Sequence, residues 1–293
     1  MSRVLDLIRP LIPAPLFHFT QPFYHGLLSA FAAAWYGHPS RGMTVIGVTG
    51  TNGKSTTVEL IAKILEEAGF KVASVSSVRF RIGDREWPNT LKMTMPGRGL
   101  LQKFLRDAKR EHATHAVLEA TSEGIRQSRH RAIAWDALVL TNVTPEHIES
   151  HGSFEKYRAA KEKLFEYLSQ THRKAGVPKI IVVNGDDASA PRFLKYAADK
   201  KISYSPRDNS DIPSKLTGDF NRANIAAAAA LARALGIGED AIRRGVAKVE
   251  NVPGRMEYIQ REPFAVVGDY AHTPEALHGV YQTFKGRRMV CVL

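Results

Sequence analysis

A single cysteine, Cys291, stands in 293 residues. It excludes an internal disulfide framework and fits a reducing compartment. Long apolar runs are also missing. The most apolar stretch, Leu27 to Tyr36, is far shorter than the roughly 20 residues that cross a bilayer. Arg3 is not followed directly by an apolar run, and Pro10, Pro13 and Pro15 interrupt the segment, so no secretory signal is read there. The expectation is a cytoplasmic chain without a transmembrane segment. Acidic residues are in deficit, 29 against 41 Lys and Arg, a formal net charge of +12. That balance attracts anions such as nucleotides and phosphorylated small molecules. The basic residues are dispersed rather than gathered in one block, which argues against nucleic acid as the partner. No internal repeat or low-complexity tract is present.

Hydrophobic residues make up 44%, enough to bury a core in one or two domains. Residues 1–43 read as a short lead-in with one helix. The stretch Pro22–Tyr36 either packs on the main domain or lies on a membrane surface as a weak contact. The regular pattern begins at Met43. Thr44–Val48 is a short β-branched run, a Gly-rich turn follows, and Ser55–Ala68 carries apolar residues at Val58, Ile61, Ile64, Leu65 and Ala68. That is strand, loop and amphipathic helix, closed by Gly69 as a C-cap. Strands are expected at Lys71–Val78, His115–Thr121, Asp136–Val143 and Lys179–Asn184. Helices are expected at Gly99–Glu111, Ser153–Leu168, Ala190–Lys200, Asn221–Leu235 and Glu239–Val249. This alternation predicts an α/β fold, a mostly parallel sheet with helices on both faces. After Pro253-Gly254 a strand near Phe264–Asp269, a helix near Pro274–Phe284 and a further strand from Met289 to Leu293 are expected to open a second α/β, Rossmann-like domain that is begun and not finished. The domain reading is 1–43, 44–256 and 257–293.

The strongest local signal is Val48-Thr49-Gly50-Thr51-Asn52-Gly53-Lys54-Ser55-Thr56. A strand, a Gly-rich turn and a helix start point backbone N–H groups at a phosphate, and the helix N-terminus adds its positive end. Lys54 would neutralise the outer phosphates and the Ser55 hydroxyl suits Mg²⁺. The general phosphate-loop pattern has glycine where this chain has Val48. Other polar residues fall at the carboxyl ends of the expected strands: Glu119, then Asn142 and Thr144, then Asn184, Asp186 and Asp187. Ligands of open α/β sheets bind at those ends, so together they favour a nucleotide–metal site.

At these residues a family resemblance becomes specific. Gly50–Thr56 resembles the Mur ligase ATP loop, whose shorter Gly-x-x-Gly-Lys-Ser/Thr pattern accommodates Val48. Glu119-Ala120-Thr121-Ser122 is similar to the family's Glu-x-Ser-Ser segment, and Thr141–His147 to its Thr-Asn-Leu-Thr-x-Asp-His segment, with His151-Gly152 after it. Ala159-Ala160-Lys161, Asn221-Arg222-Ala223-Asn224, Pro253–Glu257 and Asp269–Pro274 resemble, in order, its modified-lysine segment, its adenine-side segment, its hinge and the opening of its third domain. The resemblance runs from about Val45 to the end and is nearest to the muramyl-tripeptide synthetases.

The resemblance implies an ATP-dependent, ADP-forming carboxylate–amine ligase acting through an acyl phosphate, with a cell-wall precursor and an amino acid as small-molecule substrates, and a monomer. It implies that Gly50, Thr51, Asn52, Gly53, Lys54, Ser55 and Thr56 cradle the phosphates, with Asn221, Arg255 and Asp269 completing the nucleotide site. Ser55 and Glu119 would hold one Mg²⁺, and Glu119, His147 and Lys161 would serve a second. Lys54, Glu119, His147 and Lys161 are the implied catalytic group. Thr94, Pro96, Ser122, Gln127 and Arg129 are the implied substrate contacts. Two departures stand out: Glu123 takes the place of a substrate-side histidine, and about forty residues precede Val45 where the synthetases carry a UDP-binding domain. The alternatives are a ligase of the same chemistry for another carboxylate (folylpolyglutamate, a cyanophycin-like polymer or a lipid-linked wall precursor), a P-loop switch or motor, or an inactive ATP-binding fragment.

Lys161 can be argued from spacing alone. Ser153 is a suitable N-cap, and Phe154, Tyr157, Leu164 and Leu168 share one helical face with Lys161. An inward ammonium is costly unless paired or neutral, and a stem that snorkels to the edge is the ordinary alternative. A depressed pKa yields the neutral amine that reacts with CO₂. The family carries a carbamylated lysine here, and the resulting carboxylate suits Mg²⁺.

Overall fold

The computed structural model describes residues 14–91, 93–146, 151–209 and 211–292, with the side chains of 14–23 and of Asn209 outside the description. His147 therefore lies outside the described residues. Helix α1 spans Ala14–Trp35. It buries Ser29 and Ala33 against the domain, where Ser29 Oγ donates to Ser128 O at 2.8 Å. Its outer face leaves Leu27, Phe31 and Trp35 exposed. Among the described residues no helix is long and apolar enough to cross a membrane.

Strand β1 (Thr44–Thr49) leads into α2 (Lys54–Glu67). Then come β2 (Val72–Val75), β3 (Arg79–Ile82), β4 (Arg85–Pro88), α3 (Arg98–Arg110), β5 (His115–Glu119), α4 (Ser122–Arg126) and β6 (Ala137–Leu140). The chain continues through α5 (Phe154–Gln170), β7 (Ile180–Asn184), α6 (Ala190–Leu194), β8 (Lys200–Tyr204), α7 (Phe220–Ala234) and α8 (Glu239–Lys248). Eight described strands form one sheet in the order β4-β3-β2-β5-β1-β6-β7-β8. All pairings from β2 to β8 across the middle are parallel, and the β2–β3–β4 edge is antiparallel.

Side chains alternate along a strand, so each strand supplies both faces. Ile46, Val48, Val117, Val139 and Val182 pack with α2, α7 and α8 on one side. Val45, Leu118, Leu140, Ile181 and Val183 pack with α3, α5 and α6 on the other. The alanine run Ala226–Ala230 and Gly245 keep the helices close, and a Cβ on Gly245 would sit 2.5 Å from Ile64 Cα. Parallel strands buried on both faces read as continuous apolar runs, which is why the sequence places them.

The sequence expectations fail at three edges. A helix over Ala190–Lys200 stops at Leu194, and β8 follows. The β3–β4 hairpin and β8 were not expected. Past Met256, β9 (Glu257–Gln260) and β10 (Val266–Gly268) form an antiparallel pair, followed by α9 (Pro274–Thr283). Met289–Val292 carries no strand, and Val290 and Val292 are exposed. A strand needs a partner for its backbone groups, and among the described strands none pairs with these residues.

One buried charge cluster clamps the sheet to its flank. Asp136 accepts from Val45 N at 2.8 Å and pairs with Lys174 and with Lys179, the latter at 3.3 Å. Burial pushes both lysines below the ordinary lysine range, and Asp136 opposes it. Removing one partner of a buried pair strands the rest. Asp136→Ala is expected to cost about 3–5 kcal/mol of stability, read from the urea midpoint. A variant within 1 kcal/mol of wild type, on the order of a surface pair, would show that the cluster is not a clamp.

Candidate functional site

The site forms where β1 ends between β5 and β6. The register sets Val48 opposite Glu119 and Thr49 opposite Leu140. The loop 50–53 therefore emerges with the end of β5 on one side and the segment after β6 on the other. Gly50 has φ +151°, and a Cβ there would lie 1.9 Å from Thr141 Oγ1. Gly53 has φ +82°, and its Cβ would meet Asn224 Oδ1 at 2.1 Å. Only glycine fits either place.

The loop is stapled to the strand beside it. Thr51 N donates to Asn142 O at 2.9 Å, and Asn52 N to Asn142 Oδ1 at 2.9 Å. Thr141 Oγ1 donates to Asn52 O at 2.6 Å. Behind the loop Asn224 bridges Asn221, at 2.9 Å, and Thr57, at 3.3 Å. Asn221 thus acts on the loop through Asn224 rather than directly. Gly53→Ala is expected to lose about 1–3 kcal/mol from the strained φ alone, with more from the Asn224 clash. Pairing it with Asn224→Ala should restore part of the loss in the urea midpoint. Wild-type stability of the single variant would refute this tight cradle.

Lys54, Ser55 and Glu119 converge. Lys54 Nζ donates to Thr51 O at 2.6 Å. Burial lowers its pKa, Glu119 and Glu146 oppose that, and Arg255 adds to it. Ser55 Oγ donates to Glu119 Oε2 at 2.8 Å, and Ser77 N to the same oxygen at 2.9 Å. Ser55 Oγ and Ser77 Oγ are 2.8 Å apart. Ser77 was not singled out in the sequence. It follows β2, so the strand-end rule that found Glu119 applies to it equally. Among the described residues no three His, Cys, Asp or Glu side chains gather as a metal cluster. The donor set present is hydroxyl and carboxylate oxygen, which fits a hard cation such as Mg²⁺.

Lys161 lies on the inward face of α5, 1% exposed. Its Nζ donates to Gly50 O at 2.8 Å and sits 4.4 Å from the Tyr157 ring centre. Burial drives its pKa well below the lysine range. Lys54 pushes the same way, while Glu146 and Glu119 offset it in part.

The expected substrate residues form a second cluster. Arg129 donates to Met95 O through Nη1 and to Gln127 Oε1 at 2.7 Å through Nη2. Gln127 Nε2 donates to Glu123 Oε1 at 2.6 Å. Burial pushes the Glu123 carboxyl up, and the Gln127 and Arg126 hydrogen bonds outweigh it, holding it low. Ser128 between them adopts φ +57°, a conformation that favours glycine. Thr94 is half-buried and Pro96 buried, while Ser122 Oγ contacts His151 Nε2 at 3.2 Å. Arg98 joins this cluster through Gln127 O at 2.6 Å. His25 of α1 is lowered to about 4 by burial and by Arg98 and Arg129.

From the hinge, Arg255 Nη2 donates to Ser77 Oγ at 3.4 Å and its guanidinium lies 5.0 Å from the Tyr270 ring centre. Asp269 accepts from Met256 N at 2.7 Å, so it is engaged with the hinge backbone.

The sheet order and this loop define an α/β phosphate-loop protein. The model of the Mur ligase middle domain matches residues 48–212. Over 289 residues the chain is 36% identical to the UDP-N-acetylmuramyl-tripeptide synthetase of Roseiflexus sp. (strain RS-1), covering 87% of this chain and 57% of that protein. A solved UDP-N-acetylmuramoyl-L-alanyl-D-glutamate–2,6-diaminopimelate ligase aligns with a TM-score of 0.67 at 31% identity, over 83% of this chain and 54% of that one. E. coli FolC in complex with ADP aligns with a TM-score of 0.71 at 23% identity, over 98% and 74%, a likeness of fold alone. The chain belongs to the Mur ligase family. It spans a little over half the length of the tripeptide synthetase it matches.

Proposed function

We propose that this chain carries the nucleotide site of an ADP-forming ligase that joins a carboxylate to an amine, adding an amino acid to a muramyl-peptide precursor in the cytoplasm. The observation that carries the reading is the buried Lys161 amine against Gly50 O, directly behind a phosphate loop that faces Glu119. A simple phosphate switch has no use for a buried amine there.

In this reading one carboxylate oxygen attacks the γ-phosphorus of ATP and ADP leaves with the electron pair of the broken P–O bond. The amine then attacks the acyl carbon, loses a proton, and inorganic phosphate departs. Such transfer needs positioning and charge neutralisation more than covalent help. Lys54 holds the outer phosphates. Ser55 and Glu119 would hold Mg²⁺, whose part is to neutralise phosphate charge, and His147 and a carbamylated Lys161 would serve a second ion. Asn221, Arg255 and Asp269 attend the nucleotide, the last from beyond the hinge. Thr94, Pro96, Ser122, Gln127 and Arg129 position the carboxylate substrate.

A second reading keeps the chemistry and changes the acceptor. It is favoured by Glu123, which places an acid beside Gln127 where the family has histidine. Phosphate release by the full natural protein should require ATP, Mg²⁺, a carboxylate acceptor and an amine together. Muramyl-dipeptide carrying UDP supports the first acceptor, and turnover only with another carboxylate supports the second. Phosphate release indifferent to both acceptor and amine would refute ligation.

A further inference from the structure

Tyr157 is 1% exposed, and phenylalanine would fill its place in the core equally well. A buried hydroxyl costs free energy unless it is paired. Here it is paired on both sides. Tyr157 OH donates to Glu146 Oε2 at 3.3 Å and lies 3.1 Å from Thr51 Oγ1. The other oxygen of Glu146, Oε1, is 3.0 Å from His272 Nε2. The other ring nitrogen lies 2.9 Å from Tyr270 O, also an acceptor, so the ring donates to both oxygens only when both nitrogens carry a proton and otherwise to one of them. An unbroken line of contacts thus runs from the segment after β10, through the central domain, to the second residue of the phosphate loop.

We propose that the His272–Glu146–Tyr157–Thr51 chain couples docking of the segment after β10 to the shape of the phosphate loop, which makes His272 a positioning residue for the nucleotide. The number of hydroxyl hydrogens limits how this chain can be wired. Tyr157 has one. Given to Glu146, it leaves the phenol oxygen to accept from Thr51. Given instead to Thr51, it forces the Thr51 hydrogen toward Thr144 O, 3.2 Å away. In both arrangements Thr51 Oγ1 can accept from Thr144 N at 3.0 Å. The chain therefore has two discrete settings, which is what coupling between distant groups requires. A donor at Glu146 Oε1 holds that carboxylate in place and favours the first setting.

The segment is seated independently of this link. Tyr270 N donates to Gly254 O at 2.9 Å, and Arg255 lies over the Tyr270 ring while reaching Ser77. Those contacts can keep the segment docked when His272 is changed, so the chain can be tested without unseating it. A side chain half exposed to water, as His272 is, contributes little to stability. Its effect is expected on the loop rather than on the melting point.

The nucleotide arm of the test rests on the proposed function, and the exchange arm does not. Amide hydrogen exchange of residues 50–56 and Mg-ADP affinity by calorimetry are measured for the full chain, His272→Ala, His272→Gln, Tyr157→Phe and the His272→Ala/Tyr157→Phe pair. His272→Ala and Tyr157→Phe should each speed loop exchange and weaken ADP by about 2- to 30-fold, the range of such couplings. His272→Gln, which retains an N–H donor, should recover most of the loss. The double variant should be no worse than the worse single one. Wild-type loop exchange in His272→Ala, or a double variant showing the sum of both effects, overturns the proposal. If the wild-type chain binds no ADP, the functional reading fails, while the exchange data still decide the coupling.

Discussion

Lys54→Ala is expected to lower ATP affinity by about 30-fold to several thousand-fold, the equivalent of 2–5 kcal/mol for deleting one side of a desolvated charge pair. The thermal midpoint should stay close to that of wild type. Lys54 opens α2, half-buried at the mouth of the loop, and among the described residues its hydrogen bond is to Thr51 O. Burial already holds its pKa down, so the lysine is a cost to the fold that a bound phosphate repays. Removing it should hurt binding and spare folding. Calorimetry with ATP and a melting curve on the same sample decide the matter. Unchanged affinity would mean that the loop does not hold phosphate and would remove the nucleotide reading altogether. A collapse of the melting point with lost binding would instead make Lys54 a structural residue.

The parts of this fold visible in the sequence are those whose cause is local. β1, β5, β6 and β7 are short apolar runs because both faces are covered, and glycines close the loop where φ is positive. β3 was invisible because Arg79 and Arg81 interrupt its apolar residues. Those arginines are tolerated inside because Glu59 and Glu66 of α2 pair with them, at 3.0 and 2.8 Å, a compensation that no window of sequence reveals. β8 begins Lys200-Lys201 and lies at the sheet edge, where charge guards against pairing with other chains. Lys200 reads as the tail of the helix expected over Ala190–Lys200.

The site divides in the same way. Lys54, Ser55 and Glu119 follow from the loop and the strand-end rule. Lys161 follows from helical spacing, which sets it beside Tyr157 and Leu164 on the buried face. Tyr157 was counted as core by that same spacing, and its hydroxyl gave no sign of Thr51 or Glu146. His272 and Glu146 each stand in a recognisable stretch, yet their contact depends on how the segment after β10 docks. Contacts between distant stretches are set by tertiary packing, and periodicity carries no record of them.

Lys161 should leave a pH signature that is independent of catalysis. Its folded pKa lies well below the unfolded value of 10.5, chiefly through burial and secondarily through Lys54. Between those two values the unfolded chain holds a proton that the folded chain has released. Unfolding then takes up protons, so stability rises with pH across the window and levels off near 10.5, by at most about 1.4 kcal/mol per pH unit. Lys161→Met lacks the titrating amine. The stability of wild type relative to Lys161→Met must therefore climb as the pH of the urea titrations rises toward 10.5. Parallel curves for the two proteins would mean that the amine stays charged in the fold. The released, neutral amine is also the form that adds CO₂, losing a proton as the carbamate forms. Wild type in ¹³C-bicarbonate should show a carbamate carbon signal that Lys161→Ala lacks. The same variant in the full natural protein should lose about 100-fold or more in ligation, on the scale of removing one electrostatic stabiliser of a transition state. A short carboxylic acid in the buffer should return part of that loss by standing in for the missing carboxylate. A variant with wild-type turnover, or a carbamate signal that survives the substitution, would strip Lys161 of this role and leave it a buried prop for Gly50.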